Sequence, residues 1–392
     1  MHRIPAPAAG CLTCTAILLA SCGVRDTTGA AEPVYNVPVM VVSHLYVATT
    51  GQDTHAGTEA KPFATIARAA QAATPGTIVH VAPGTYEGGF KTLTSGSITK
   101  GGRITYRSTR RWGARLAPPA EPERANSPVA WDNRGNYVDI EGFDIDGRGY
   151  QGGIKWTTGI YNGGSYDAIR NNHVHHIATD VPCTRADGAG IGVDSYYRGV
   201  HSEVSGNSVH DIGTAGCRFV HGIYINTPGT VRNNIVYRVA AAGIHLWHDA
   251  TNVIIVNNTV TSSHTGIVVG GGDFYYTRGP NDHTDVLNNI VYDNKMGIVE
   301  QGATGKNNRY RNNLVFQNGD ADWRLQSGLV HQGSLAQPPG FVAYTRSGTP
   351  DFRLAANSPA VGTGLQGHAS TADFQGKPRS SATGIDLGAL QH

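Results

Sequence analysis

The chain has 392 residues, among them 51 Gly, 31 Lys or Arg and 29 Asp or Glu, for a formal net charge of +2. Charged residues make up 15% of it, and no basic or acidic block offers a field for nucleic acid or for a cationic partner. Glycine well above the usual ~7% suits a backbone that turns a corner every few residues.

In chain order, the first 22 residues carry a basic Arg3, an apolar stretch ending Ala16-Ile17-Leu18-Leu19, and then Ala20-Ser21-Cys22. This resembles a bacterial lipoprotein signal, which implies lipidation at Cys22 and a membrane partner held through its acyl chains. Residues 23–43 are expected to be a tether and 44–392 a single folded domain. With Gly23 after the cysteine, the expected location is the outer membrane, on its periplasmic or outer face, or secretion. Cys11 and Cys14 leave with the signal. The remaining Cys183 and Cys217 are expected to pair as a disulfide in an oxidising compartment.

Residues 44–86 read as an N-terminal cap. A strand around Leu45-Tyr46-Val47-Ala48 leads through a polar loop to Phe63, Ile66, Ala67, Ala70 and Ala73, which follow helical spacing up to Pro75-Gly76. Thr77 to Val81 is expected to be the first coil strand, and Ile104–Arg107 and Tyr137–Phe143 early coils. Inserts at 114–127 and 274–284 interrupt the period. In solenoids such insertions gather on one face, often the binding face.

From Asn171 onward one phrase recurs six times. Its second Asn stands at 172, 207, 234, 258, 289 and 313, with intervals of 35, 27, 24, 31 and 24 residues. Each of the first five phrases is followed by a Gly-Ile pair: Gly190-Ile191, Gly222-Ile223, Gly243-Ile244, Gly266-Ile267 and Gly297-Ile298. Repeats this short leave no room for a helix, so the fold class is all-β, a parallel β-helix with an N-terminal capping helix. The asparagines are expected to stack as an amide ladder. The Ile should face the core, and the Gly should permit a corner.

The stretch from Tyr46-Val47 through Lys61-Pro62-Phe63-Ala64-Thr65-Ile66 to Pro83-Gly84-Thr85-Tyr86 resembles the start of secreted proteins of the pectate-lyase-like superfamily. The tail, residues 340–392, with Asp351-Phe352-Arg353-Leu354, Ser358-Pro359-Ala360 and Gly384-Ile385-Asp386-Leu387-Gly388-Ala389, resembles their ends. The resemblance implies that the coil is a right-handed parallel β-helix with a carbohydrate-active role, without naming a substrate.

If each Ile faces inward, the residues one and three later face outward and stack ~4.8 Å apart between coils. One column is then Tyr161, Gly192, Tyr224, His245, Val268, Val299, and the next includes Asp194, Asn226 and Trp247, with His221 and His248 beside them. Aromatic faces and polar groups in rows suit a saccharide. Cleavage of a uronate polysaccharide by β-elimination needs a base, a cation facing the carboxylate and an acid. His245 or His221 is the expected base, because histidine titrates near neutrality. Tyr224 is the expected acid, with Arg218 and Asp194 completing the catalytic group. Trp247, Asn226, His248, Tyr161 and Lys155 are expected to bind substrate, and Lys295 is a further basic candidate. The expected activity is a polysaccharide lyase or the related C5-epimerase. The alternatives are a glycoside hydrolase using Asp187 and Asp194, with Glu300 farther along the stack, or a non-catalytic surface carbohydrate binder. A monomer is expected. Calcium is considered at Asp187 with Asp194, or at Asp139, Asp144 and Asp146. For His173, His175, His176 and His210 the spacing on a strand does not bring three imidazoles to one face, which argues against zinc.

Overall fold

The computed structural model describes residues 42–184, 187–379 and 384–392. The signal, Cys22 and nearly all of the tether lie outside the described residues.

The repeats wind into three parallel sheets of 11, nine and nine strands, so the chain is a right-handed parallel β-helix. Each coil places a strand in the 11-stranded sheet, turns through the Asn phrase into a second sheet, and then enters a third through the Gly-Ile pair. One coil reads Gly229–Arg232, Ile235–Val239 and Ala242–Leu246 in that order. The interior is a stack of aliphatic side chains: Ile191, Ile223, Ile244, Ile267 and Ile298 are all fully buried.

The Asn turn is built from two different asparagines. The first of each pair (Asn171, Asn233, Asn257, Asn288, Asn312) sits at φ between 48° and 58°, and Gly206 takes the same left-handed place at 65° in the one phrase lacking it. The second points inward. Asn172 donates to Asn207, Asn207 to Asn234, Asn234 to Asn258, Asn258 to Asn289 and Asn289 to Asn313, at 2.9–3.1 Å. All six are completely buried.

The Gly-Ile glycines work differently from expectation. None of Gly190, Gly222, Gly243, Gly266 and Gly297 has positive φ. A Cβ there would lie 2.3–2.9 Å from the γ-carbon of a core valine, so the need is for space rather than a corner.

The capping helix is Ile66–Ala72, with Thr65 as N-cap accepting from Arg68 N at 3.1 Å. It is shorter than the spacing suggested, because Phe63 and Ala64 precede the cap. Asp53 accepts from Ala64 N and Thr65 N at 2.9 Å, which fixes that entry. The 11-stranded sheet starts one rung before Thr77–Val81, with Ser43–Val47 paired beneath it. The first insert is shortened, because Ala114–Ala117 is a strand of the second sheet.

The tail folds back along the outside of that second sheet. Phe352 packs on Tyr237, Leu354 and Leu387 join Ile290 and Leu314, and Asn257 Nδ2 donates to Asp386 O at 2.9 Å. Cys183 and Cys217 are joined as a disulfide.

Candidate functional site

The third sheet carries a groove of about 1030 Å³ on its outer face. Its strands pair in one register, so that Tyr161 lies beside Gly192, then Tyr224, His245, Val268 and Val299 in adjacent rungs. Tyr224 and His245 stack with ring centroids 5.2 Å apart and planes 18° from parallel. His221, Arg218, Asp187, Asp194, Asn226, Trp247, His248, Tyr161 and Lys295 line the same groove. Lys155 does not. It reaches Asp180, 3.8 Å away, on an exposed loop.

Hydrogen-bond partners settle which ring nitrogen carries the proton in the groove histidines. Ala242 N–H points at His221 Nδ1 (3.4 Å), so that atom accepts and His221 Nε2–H donates to His245 Nδ1 (3.0 Å). Neutral His245 therefore holds its hydrogen on Nε2. His248 is the reverse. Its Nδ1–H donates to the Asp273 carbonyl (2.8 Å), leaving Nε2 as an acceptor for the Tyr275 hydroxyl (2.9 Å). Two imidazoles in one groove thus present opposite faces, one a donor and one a base.

Burial pushes His221 down to about 3, and burial followed by His221 and His248 holds His245 well below the ordinary range. Near-neutral titration, the reason for choosing either as base, is therefore lost in the fold. For Tyr224, burial and then Tyr275, Asp194 and Asp187 push the phenol up, so it stays protonated. Asp194 is anchored by the Tyr161 hydroxyl (3.0 Å) and Tyr196 N (3.1 Å). Arg218 forms no ion pair among the described residues and is exposed at the groove edge, whereas Lys295 is near Asp320, at 3.7 Å.

The 274–284 insert closes one side of the groove. Buried Asp249 accepts from Thr277 N (2.9 Å) and Oγ1 (2.7 Å), Tyr276 N (3.2 Å) and Ser195 Oγ (3.2 Å). Burial pushes its carboxyl up, and these bonds outweigh that and hold it low. The insert's Tyr275 stacks on His248 at 4.0 Å. Asp249, Asp273 and Tyr275 escaped the sequence reading, although the broken period at the insert marked the place.

Calcium does not fit these residues. Asp139 is paired with Arg103 and Arg170, and Asp146 with Arg115 and Arg148. Among the described residues no three carboxylates converge in the groove.

His221 makes acid stability testable. Unfolded histidine keeps its ordinary value while folded His221 titrates near 3, so between about pH 6.5 and 3 only the unfolded chain takes the proton. Stability should therefore fall with pH across that window, by up to ~1.4 kcal/mol per unit. Urea midpoints at pH 7, 5 and 4 check this, with His221→Asn giving a shallower decline. Parallel declines would exclude His221 as the source.

Residues 158–335 match the family model described as right handed beta helix region, and residues 49–92 match one described as protein of unknown function (DUF1565). The uncharacterized protein YwoF of Bacillus subtilis (strain 168) is 30% identical over 139 residues, which is 35% of this chain and 29% of that protein. Pectate lyase Pel9A superposes with TM-score 0.56 at 17% identity, covering 90% of this chain and 97% of that one. A rhamnogalacturonan lyase gives 0.57 at 16%, covering 84% and 97%. The A-module of mannuronan C-5 epimerase AlgE6 from Azotobacter vinelandii gives 0.51 at 15%, covering 69% and 68%. At these identities the likeness is one of fold.

Proposed function

Starting from a right-handed parallel β-helix of the pectate-lyase-like kind, we propose a carbohydrate-active protein that cleaves a uronate-containing polysaccharide by β-elimination. The observation that carries this reading is the pair of oppositely protonated histidines flanking Tyr224 in a groove edged by Arg218, which forms no ion pair among the described residues. Support for a sugar ligand comes from the aromatic faces of Trp247, Tyr224 and Tyr161, with Asn226 and Asp194 between them. The lyases and epimerase of similar fold act on acidic glycans by name.

In this mechanism Arg218 meets the uronate carboxylate and makes the α-hydrogen acidic. Tyr275 Oη takes that proton as its own hydrogen passes to His248 Nε2. The electron pair forms the 4,5-double bond, the bond from C4 to the bridging oxygen breaks, and Tyr224 donates its phenolic hydrogen to that oxygen. His245 Nε2–H supplies a hydrogen bond to the sugar. The base thus moves from His245 to His248.

The test is incubation with a panel of uronate polysaccharides, with and without chelator. New ultraviolet absorbance of an unsaturated uronate supports elimination. Reducing ends without it would replace this reading by hydrolysis through Asp187 and Asp194. Binding with neither product would make the protein a carbohydrate-binding module.

We further propose export and lipid anchoring at Cys22, which the Cys183–Cys217 disulfide supports. The expressed full chain should partition into membranes and yield a diacylated Cys22 peptide by mass spectrometry. Cys22→Ala should stay unprocessed and lose the acyl mass. An unmodified Cys22 in the mature wild type would refute the anchor.

A further inference from the structure

A second cluster of titratable groups lies on the tail-covered sheet, and none of its members lines the groove. Register puts His173 beside Asp144, and His175 between Asp146 and His210, in consecutive rungs. His176 directly follows the strand His173–His175 at φ 55°, which swings its ring back until Nδ1 is 2.7 Å from His175 Nδ1. The sequence reading missed this convergence because it weighed one strand alone. The neighbouring coils supply the remaining members, and a left-handed residue re-aims His176.

The hydrogens in this cluster do not add up for neutral imidazoles set between two carboxylates. Asp144 Oδ1 lies 2.8 Å from His173 Nδ1, and Asp211 Oδ2 lies 2.6 Å from His210 Nδ1. Between the two imidazoles, His173 Nε2 faces His210 Nε2 at 2.7 Å. Each of the three contacts requires one hydrogen between two lone pairs, and two neutral imidazoles carry only two. The geometry calls for one further positive charge, either a proton or a metal ion.

We propose that this is a divalent transition-metal site, with Asp144 carboxylate, His173 Nδ1 and His175 Nε2 as ligands. Their donor atoms lie within 4.8 Å of one another, and His175 Nε2 is 2.9 Å from the same Asp144 oxygen that His173 approaches. Metal at His173 Nδ1 moves that ring's hydrogen to Nε2, which then donates to His210 Nε2, while His210 Nδ1–H donates to Asp211. Metal at His175 Nε2 likewise leaves Nδ1–H to donate to His176 Nδ1. Both ring nitrogens of His173, His175 and His210 are then satisfied without an extra proton, as the outer partners of metal-bound histidines usually arrange. Charge agrees. Guanidinium groups neutralise Asp146 (Arg115, Arg148) and Asp211 (Arg238), whereas the nearest to Asp144 is Arg115, at 4.0 Å. Imidazole with carboxylate suits zinc, cobalt, nickel or copper over calcium or magnesium. Trp112 covers the site, stacked on His173 at 4.7 Å, and Phe374 of the tail is 6.4 Å from Trp112. The ion would tie neighbouring coils together beneath that roof.

The test uses chelator-treated, dialysed protein titrated calorimetrically with Zn²⁺, and with Co²⁺ followed by visible absorption. One ion per chain should bind, with a Co²⁺ spectrum of mixed nitrogen and oxygen ligation and no competition from Ca²⁺. His175→Ala and the shape-conserving Asp144→Asn should lose this binding at least 100-fold. His210→Ala, a positioning residue, should weaken it about 10–100-fold. Unfolding midpoints in chelator establish that each variant is folded, and Asp144→Asn carries the test if the histidine variants are not. Wild type without uptake overturns the proposal, as does uptake undiminished in both ligand variants, which would place the metal elsewhere. An imidazolium resonance at neutral pH with no metal uptake would assign that positive charge to a proton and overturn the metal site.

Discussion

His248→Ala should reduce kcat on the cleaved polysaccharide by about 10²–10⁴, with a much smaller change in KM, because removing a base costs the transition state rather than binding. The assignment rests on one backbone group. The Asp273 carbonyl can only accept, so His248 Nδ1 must donate to it, and the lone pair falls on Nε2 beside Tyr275 Oη. If the proton travels through Tyr275, Tyr275→Phe should lose a similar factor. His245→Ala should lose less, since His245 offers only a hydrogen bond. Added imidazole should restore part of the His248→Ala rate without restoring Tyr275→Phe. Full activity in His248→Ala would remove it from the chemistry. Equal losses confined to KM in all three variants would reduce the group to sugar binding.

Much of this architecture is legible in the sequence because a solenoid turns distance along the chain into adjacency. The 21-residue interval between Gly222-Ile223 and Gly243-Ile244, joined to strand alternation, is enough to place Tyr224 against His245. The same arithmetic brings Asp194 and Trp247 to one groove. Three things resisted it. Protonation depends on backbone groups, here Ala242 N–H and Asp273 C=O, that no side-chain pattern announces. The insert at 274–284 has no period, so the seat of Tyr275 on His248 had no register from which to be read. Single residues at positive φ re-aim side chains: His176 and His248, at 55° and 44°, both left the faces that alternation assigns them. Lys155 fell outside the groove for a related reason, since it lies in a loop before the strand Thr158–Asn162 begins.

Asn258→Ala should destabilise the fold by about 3–5 kcal/mol, although it touches neither site. Its Oδ1 accepts from both Asn234 N (3.0 Å) and Asn234 Nδ2 (2.9 Å). Its Nδ2 donates to Val231 O (2.9 Å), Val256 O (3.2 Å) and Asn289 Oδ1 (3.0 Å). Alanine strands these partners in a region with no solvent access, where each unpaired group costs about 1–3 kcal/mol. The direction of the ladder gives a sharper test. Asn258→Asp keeps the acceptor but faces a carboxylate toward the carbonyls of Val231 and Asn289, so it should cost at least as much as alanine. Exposed Asn307, bonded to Asp282, should cost under about 1 kcal/mol on the change to alanine, close to an ordinary surface substitution. Urea unfolding measures all three, and hydrogen exchange locates the damage. Because coils contact mainly their neighbours, faster exchange should centre on the rungs at 231–236, 255–260 and 286–291 and fade toward the cap. Should Asn258→Asp prove milder than Asn258→Ala, the donor half of the amide would not be what holds the coils in register, and the stack would owe its order to the valine and isoleucine columns instead.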